Sequence, residues 1–423
     1  MGNQQDDRHR LLLLHRWLLI TLVVVTALHM HTAEAAPAPE KKKQQKQMVP
    51  CMYIFGDSLV DNGNNNNILS LARANYRPYG VDFPSSAASP PGRFTNGRTV
   101  VDILAGLLGF QPPFIPAHAM AAQDEYARGL NFASGAAGVR PETGNNLGGH
   151  YPLADQVEHF RAVADQLTSS SSPEGKKKMT NQLGKCIYYV GMGSNDYLNN
   201  YFMPDYYSTA RDYDPAAYAA ALLQEYSRQI NVLYDLGARK IVVAGVGQIG
   251  CIPYELARIN DGSPPPNTVG NGAGIGIAVP GITISLGGAN RRRSNNNVCN
   301  EEINNAIAIY NKGLLSMVKR LNRQLPGAKL VFLDAVSGGR DLVVNAGKYG
   351  FTVVDKGCCG VGRNNGQITC LPMQRPCEDR SQYIFWDAFH PTEAANRIIA
   401  ARAFGSAPGN DAYPFNISRL ATL

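Results

Sequence analysis

Met52-Tyr53-Ile54-Phe55-Gly56-Asp57-Ser58-Leu59 decides how the rest of the chain is read. Four apolar residues, one β-branched and two aromatic, run without polar interruption into a glycine, a carboxylate and a hydroxyl. Such a short apolar run bounded by turn residues is the pattern of a strand buried on both faces, as in parallel sheets. Asp57 and Ser58 would then stand just beyond the strand's carboxyl end. In open α/β sheets that is where ligands bind.

The same pattern recurs at Leu130–Ala133, Cys186–Val190, Lys240–Val246 and Lys329–Leu333. Helical patterns separate these runs at Thr99–Leu108, Leu153–Leu167, Pro215–Leu236 and Glu301–Leu325. The last carries Ile303, Ile307, Tyr310, Leu314, Met317, Val318 and Leu321 at helical spacing, a stripe for the core. Pro215 suits a first helical turn, where its missing N–H is no loss. Alternation of this kind predicts one α/β domain, a parallel sheet with helices on both faces. The stretches Thr168–Lys178 and Ser263–Asn297 are expected to be irregular.

With 423 residues, 44% hydrophobic and 17% charged, the composition is that of a globular protein and excludes a disordered chain or a fibre. Residues 1–35 read as a signal peptide. Arg8, Arg10 and Arg16 precede the apolar run Trp17–Leu28, and Ala33-Glu34-Ala35 fits small-x-small cleavage. The apolar run is about a dozen residues, short of the roughly 20 that span a bilayer. Its removal takes three charges of each sign, so the net charge of +7 stands. Residues 36–50 form a Pro-, Lys- and Gln-rich flexible leader, and 51–423 form the single folded domain, with an inserted loop at 263–297. The protein is accordingly expected to be secreted and extracellular. The basic runs Lys41–Lys43, Lys176–Lys178 and Arg291–Arg293 lie in polar stretches and read as solvated loops, not a nucleic-acid surface. Contact with an anionic cell-wall matrix is the partner they would suit; stable membrane insertion is not expected. In a secreted chain, eight cysteines favour disulfides over metal ligands.

The C-terminal region offers Trp386-Asp387-Ala388-Phe389-His390-Pro391-Thr392 before the helical pattern Glu393–Phe404. Pro391 disfavours a helical conformation at His390, which places His390 in the loop before that helix. Asp387, three residues earlier, can curl back to accept the imidazole Nδ1–H, leaving Nε2 free to act as a base. Of the histidines left after signal removal, His118, His150, His159 and His390, only His390 has an acid so placed beside a helix start.

These residues resemble the GDSL esterases, or SGNH hydrolases. Phe55-Gly56-Asp57-Ser58-Leu59 is similar to the block that names the family. Asn131-Phe132-Ala133-Ser134-Gly135 resembles its second block, Gly193-Ser194-Asn195-Asp196 its third and Asp387-Ala388-Phe389-His390-Pro391 its last, all in family order. Asp61-Asn62-Gly63-Asn64-Asn65 and Phe385–Arg397 look like the plant subgroup. The resemblance implies a three-layer α/β/α fold with a flavodoxin-like parallel sheet, and hydrolysis of acyl esters without metal or cofactor. It makes Ser58 the nucleophile, His390 the general base and Asp387 its orienting acid. The backbone N–H groups of Ser58 and Gly135 and the side-chain amide of Asn195 become the oxyanion hole, with Gly129 and Gly138 as rival donors. Asp57 and Asp196 are expected to be structural, and Asn62 to help hold the loop below Ser58. A serine hydroxyl needs an adjacent imidazole to take its proton, and fixed donors favour the tetrahedral oxyanion over the ground state. The substrate would be a small or polymer-borne acyl ester. Rival readings are a wall-polysaccharide O-acetyl esterase, an acyltransferase and a non-catalytic binding protein on the same fold.

Gly245-Val246-Gly247-Gln248-Ile249-Gly250 matches G-x-G-x-x-G, but Pro253 follows closely and no acid stands about 20 residues on, so no nucleotide site is read there. G-x-S-x-G is absent from the sequence. Cys251 and Cys299 are expected to pair across the long loop. Cys358 or Cys359 should pair with Cys370 and Cys377, in an order the sequence leaves open.

Overall fold

The computed structural model describes residues 17, 46–84, 92–169, 172–259, 277–279, 282–284, 299–407 and 409–423. The chain divides into Met1–Lys46 and Gln47–Leu423, and the central sheet, its covering helices and the disulfides all lie in the second part. The signal-peptide reading and most of the leader fall outside the described residues. The packed chain starts a little before Met52: the Met48 N–H donates to Leu108 O at 2.9 Å, and Val49 is buried.

Four parallel strands lie in the order β1 (Met52–Gly56), β2 (Ile187–Gly191), β3 (Lys240–Ala244) and β4 (Lys329–Leu333). A two-residue antiparallel strand, β5 (Ala412–Tyr413), closes the edge beside β4. Met52, Ile187, Lys240 and Lys329 share one register line, so Gly56, Gly191, Ala244 and Leu333 end together at one rim. The expected strand at Leu130–Ala133 runs beside β1 without forming a full ladder. Ile54 N–H donates to Leu130 O at 2.9 Å, Phe132 N–H to Ile54 O at 2.8 Å and Ser134 N–H to Gly56 O at 3.0 Å.

Alternate residues of each strand enter opposite cores, as period-two geometry requires. Tyr53, Phe55, Tyr188, Val190, Ile241, Val243, Leu330 and Phe332 pack with helices α1 (Leu153–Thr168), α2 (Pro215–Asp235) and α3 (Glu301–Gln324). Met52, Ile54, Ile187, Tyr189, Val242, Ala244, Val331 and Leu333 pack on the other face, with the helices Val100–Leu107, Glu393–Gly405 and Ile417–Thr422. That is the three-layer α/β/α arrangement. Helix starts follow their caps: Thr99 and Asp102 form a capping box, and Asp214 accepts the Ala217 N–H ahead of Pro215.

Part of the stretch expected to be irregular, Thr168–Lys178, is helical. Ser172 caps Pro173–Leu183, an almost wholly polar helix whose buried residue is Leu183. Within 263–297 the described residues are an antiparallel pair, Ile277–Val279 and Ile282–Ile284; the rest of that loop lies outside them. Cys251 pairs with Cys299, Cys358 with Cys377, Cys359 with Cys370, and Cys51 with Cys186.

Candidate active site

Ser58 stands in a tight turn at the end of β1. Val60 and Asp61 N–H donate to Asp57 O at 3.2 and 2.9 Å, and Leu59 N–H donates to the Asp57 side chain at 3.0 Å. Asp57 thus supports the turn, as expected. Full burial pushes its carboxyl up to about 6, against the pull of the Leu59 N–H and the His390 charge. Gly56 is needed because a Cβ there would lie 2.5 Å from Val60 and 2.9 Å from Gly191 O.

The loop before the helix Glu393–Gly405 brings His390 to the same rim. Its Nε2 lies 2.8 Å from Ser58 Oγ, and its Nδ1 lies 2.8 Å from Asp387 Oδ1. Asp387 Oδ1 also accepts the Phe389 and His390 N–H groups, each at 2.9 Å, so the Asp-to-His segment is wound around its own acid. Phe94 covers the imidazole, with ring centroids 5.1 Å apart. Burial alone would raise the Asp387 carboxyl, but the His390 charge and the hydrogen bonds of His390, Tyr79 and Phe389 outweigh it. The carboxyl is held below the usual aspartate range. Ser58 is half-buried while His390 and Asp387 are buried, so the chain of three opens to solvent at its hydroxyl end.

Asn195 follows β2. Its Nδ2 donates to Ala137 O at 2.9 Å and its Oδ1 accepts Asn199 Nδ2 at 2.7 Å, which fixes the amide and leaves one N–H. Asp196 ties down the neighbouring loop by accepting Val139 N–H, Arg140 N–H and the Thr143 hydroxyl, a structural role. Asn62 is buried and its Nδ2 donates to Ile115 O at 2.8 Å, bracing the loop after Ser58.

Gly135 is not available as the sequence suggested. Its N–H donates to Asp61 Oδ2 at 2.9 Å. Asp61 Oδ1 meanwhile accepts Gly63 and Asn64 N–H at 2.8 and 2.9 Å, so this carboxylate clamps the second loop to the Ser58 turn. Glycine is required at 135 for space, since a Cβ would meet Phe94 at 2.8 Å and Asn65 at 2.9 Å. The next residue, Ala136, has φ +68°, a left-handed conformation unusual for alanine. The N–H groups of Ala136 and Ser58 have no hydrogen-bond partner among the described residues. The rival Gly129 sits against Met52, at the far end of β1.

The G-x-G-x-x-G stretch is already engaged. Gly245 N–H donates to Leu333 O, Val246 N–H to Asn311 Oδ1 and Gly250 N–H to Asn304 Oδ1. Sequence reasoning missed Tyr79 and Thr369, whose hydroxyls donate to Asp387 Oδ2 at 2.6 and 2.9 Å. No local pattern announces either.

Comparison with known proteins gives one consistent result. Residues 52–403 match the GDSL-like Lipase/Acylhydrolase family. The chain is similar to the GDSL esterase/lipase At1g33811 of Arabidopsis thaliana, with 51% identity covering 90% of this chain and 93% of the relative. It is also similar to At1g29670 and At5g45670 of the same plant, each a GDSL esterase/lipase at 46% identity, covering 90% and 89% of this chain and 93% of each relative.

Proposed function

The chain belongs to the GDSL-like lipase/acylhydrolase family and is a carboxylic-ester hydrolase, and from that premise we propose that it works through an acyl-enzyme on Ser58. The observation that carries this reading is the unbroken hydrogen-bonded chain from Ser58 Oγ through the His390 ring to Asp387. His390 Nε2 takes the Ser58 proton as Oγ attacks the ester carbonyl. Asp387 holds the Nδ1–H tautomer and stabilises the imidazolium that forms. The oxyanion is met by the N–H groups of Ser58 and Ala136 and by the remaining N–H of Asn195. Each such donor is worth about 3–4 kcal/mol of barrier. His390 then gives its proton to the leaving alcohol, and water repeats the sequence on the acyl-enzyme. The cysteine pairs fit the secreted location that the N-terminal sequence suggests.

The test is hydrolysis by the purified protein of short-chain and long-chain acyl esters and of acetylated xylan, alongside Ser58→Ala and His390→Ala. Turnover of at least one ester class, lost in both folded variants, supports the reading. Retention of that turnover by either variant refutes it. The preferred class tells lipid esters from polysaccharide acetyl groups.

A further inference from the structure

Asp387 Oδ1 takes three N–H groups from its own loop, whereas its Oδ2, itself 3.0 Å from His390 Nδ1, is served in addition from two other parts of the chain. The Tyr79 hydroxyl approaches Oδ2 at 2.6 Å and the Thr369 hydroxyl at 2.9 Å, and the two hydroxyls lie 2.6 Å from each other. We propose that Tyr79 and Thr369 are positioning residues for the hydrolysis, fixing the rotation and charge of Asp387 and through it His390. The proposal rests on the acyl-enzyme reading above.

Several features show that this arm is built in. Tyr79 is fully buried, its ring edge-on to Trp386, Tyr76 and Phe94. Burial, then the negative charge of Asp387, raises the Tyr79 hydroxyl well above its ordinary range, so it keeps its proton and stays a donor at any working pH. Thr369 is set by the Cys359–Cys370 disulfide next to it, and the Cys359 N–H donates to Trp386 O at 2.7 Å, one residue before Asp387. The hydroxyl donor and the acid are therefore stapled to the same short segment.

The chemistry needs such an arm. A carboxylate removed from water must have its charge met by donors or it takes up a proton. Were Oδ2 left bare, Asp387 would be easier to protonate and free to turn about its Cβ–Cγ bond, and Oδ1 would lose its line to Nδ1. With the hydroxyl pair donating, the anion stays ionised and Oδ1 keeps the shorter of the two imidazole contacts, 2.8 Å against 3.0 Å for Oδ2. Because each hydroxyl lies within reach of Oδ2, either can partly serve it when the other is lost. Other ionisable groups nearby are Tyr76, whose hydroxyl donates to Cys370 O at 2.9 Å, and Asp57, which feels the His390 charge.

The test is kcat and KM across pH for Tyr79→Phe, Thr369→Val, Thr369→Ser and the Tyr79→Phe/Thr369→Val double variant, on whichever ester the wild type hydrolyses. Loss of a hydrogen bond to a charged group predicts a fall in kcat of about tenfold for Tyr79→Phe, with KM within about twofold. The acidic limb of the pH profile should move to higher pH. Thr369→Ser should behave as wild type, and the double variant should lose more than the product of the single losses. A double variant with wild-type kcat and an unmoved acidic limb overturns the proposal. If Tyr79→Phe does not fold, the contrast between Thr369→Val and Thr369→Ser decides in its place, and equality of those two is then the overturning result. Ser58→Ala, measured in parallel, separates the two levels: full activity there sinks the acyl-enzyme reading, whereas loss there with unmoved Tyr79 and Thr369 variants sinks this proposal alone.

Discussion

Replacing Asp387 by asparagine removes one charge and turns one acceptor into a donor, and the surroundings decide which way the amide faces. The Oδ1 side meets the backbone N–H groups of Phe389 and His390, which cannot become acceptors, and the imidazole Nδ1, which accepts only in the Nε2–H tautomer. The Oδ2 side meets two hydroxyls, which can rotate and accept, and lies 3.0 Å from His390 Nδ1. The asparagine NH2 should therefore face Tyr79 and Thr369, and its carbonyl should still take the His390 Nδ1–H. The tautomer survives, with the ring turned slightly from the amide nitrogen that faces Nδ1 across 3.0 Å, and the charge is the main loss. At a separation of roughly 4 Å and an effective dielectric constant of about 20, that charge stabilises the imidazolium by about 4 kcal/mol. At about 1.4 kcal/mol per tenfold, the expected loss in kcat is about 10³-fold. Asp387→Ala loses the orienting hydrogen bonds as well, and should fall at least about tenfold further. Steady-state kinetics on one ester, with the unfolding midpoint of each variant as a control on folding, reads both numbers. Equal activity in Asp387→Asn and Asp387→Ala would refute the amide orientation, and a fully active Asp387→Asn would refute the role of the charge.

Two further predictions concern stability. Ala136→Gly keeps the N–H while relieving a left-handed alanine at φ +68°, so it should stabilise the fold by about 1 kcal/mol without loss of activity; an unchanged or lower unfolding midpoint contradicts this. Burial raises the carboxyls of Asp57, Asp61 and Asp196 from 3.8 to about 6, so the folded state holds these protons more tightly than the unfolded chain. Their contribution is full below about pH 4 and is lost as pH rises through about 6, by about 3 kcal/mol for each carboxyl. Asp387 and Glu393, held low in the fold, lose their contribution below the ordinary carboxylate range. The unfolding midpoint should therefore be higher at pH 5 than at pH 8, and a midpoint rising steadily from pH 5 to pH 8 would show the burial effect to be wrong.

Much of this architecture was legible because it is written locally. Apolar runs ending in glycine marked β1 and β2, and the helical patterns beginning at Thr99, Pro215 and Glu393 lie within a residue of the helix starts. Pro173–Leu183 escaped because a surface helix with one buried residue has no apolar stripe. β5 escaped because two residues carry no pattern. In the site, Asp387 and His390 are three residues apart, and their pairing follows from local chain geometry. Whether the Gly135 or the Ala136 N–H stays free depends on Asp61, 74 positions away from Gly135, and no reading of the second block alone reveals that. Tyr79 is 308 positions from Asp387, so only the folded chain brings its hydroxyl there.

The central claim is that the Ser58 hydroxyl, with its proton drawn to His390, is the nucleophile that carries the acyl group. An organophosphate mimics the acyl donor but leaves an adduct that does not turn over, and the labelled peptide can be identified by mass. The wild-type protein should lose activity in step with a single adduct on Ser58, and Ser58→Ala should neither label nor hydrolyse. An adduct on another serine of the wild type, or hydrolysis persisting in a folded Ser58→Ala protein, would contradict the account.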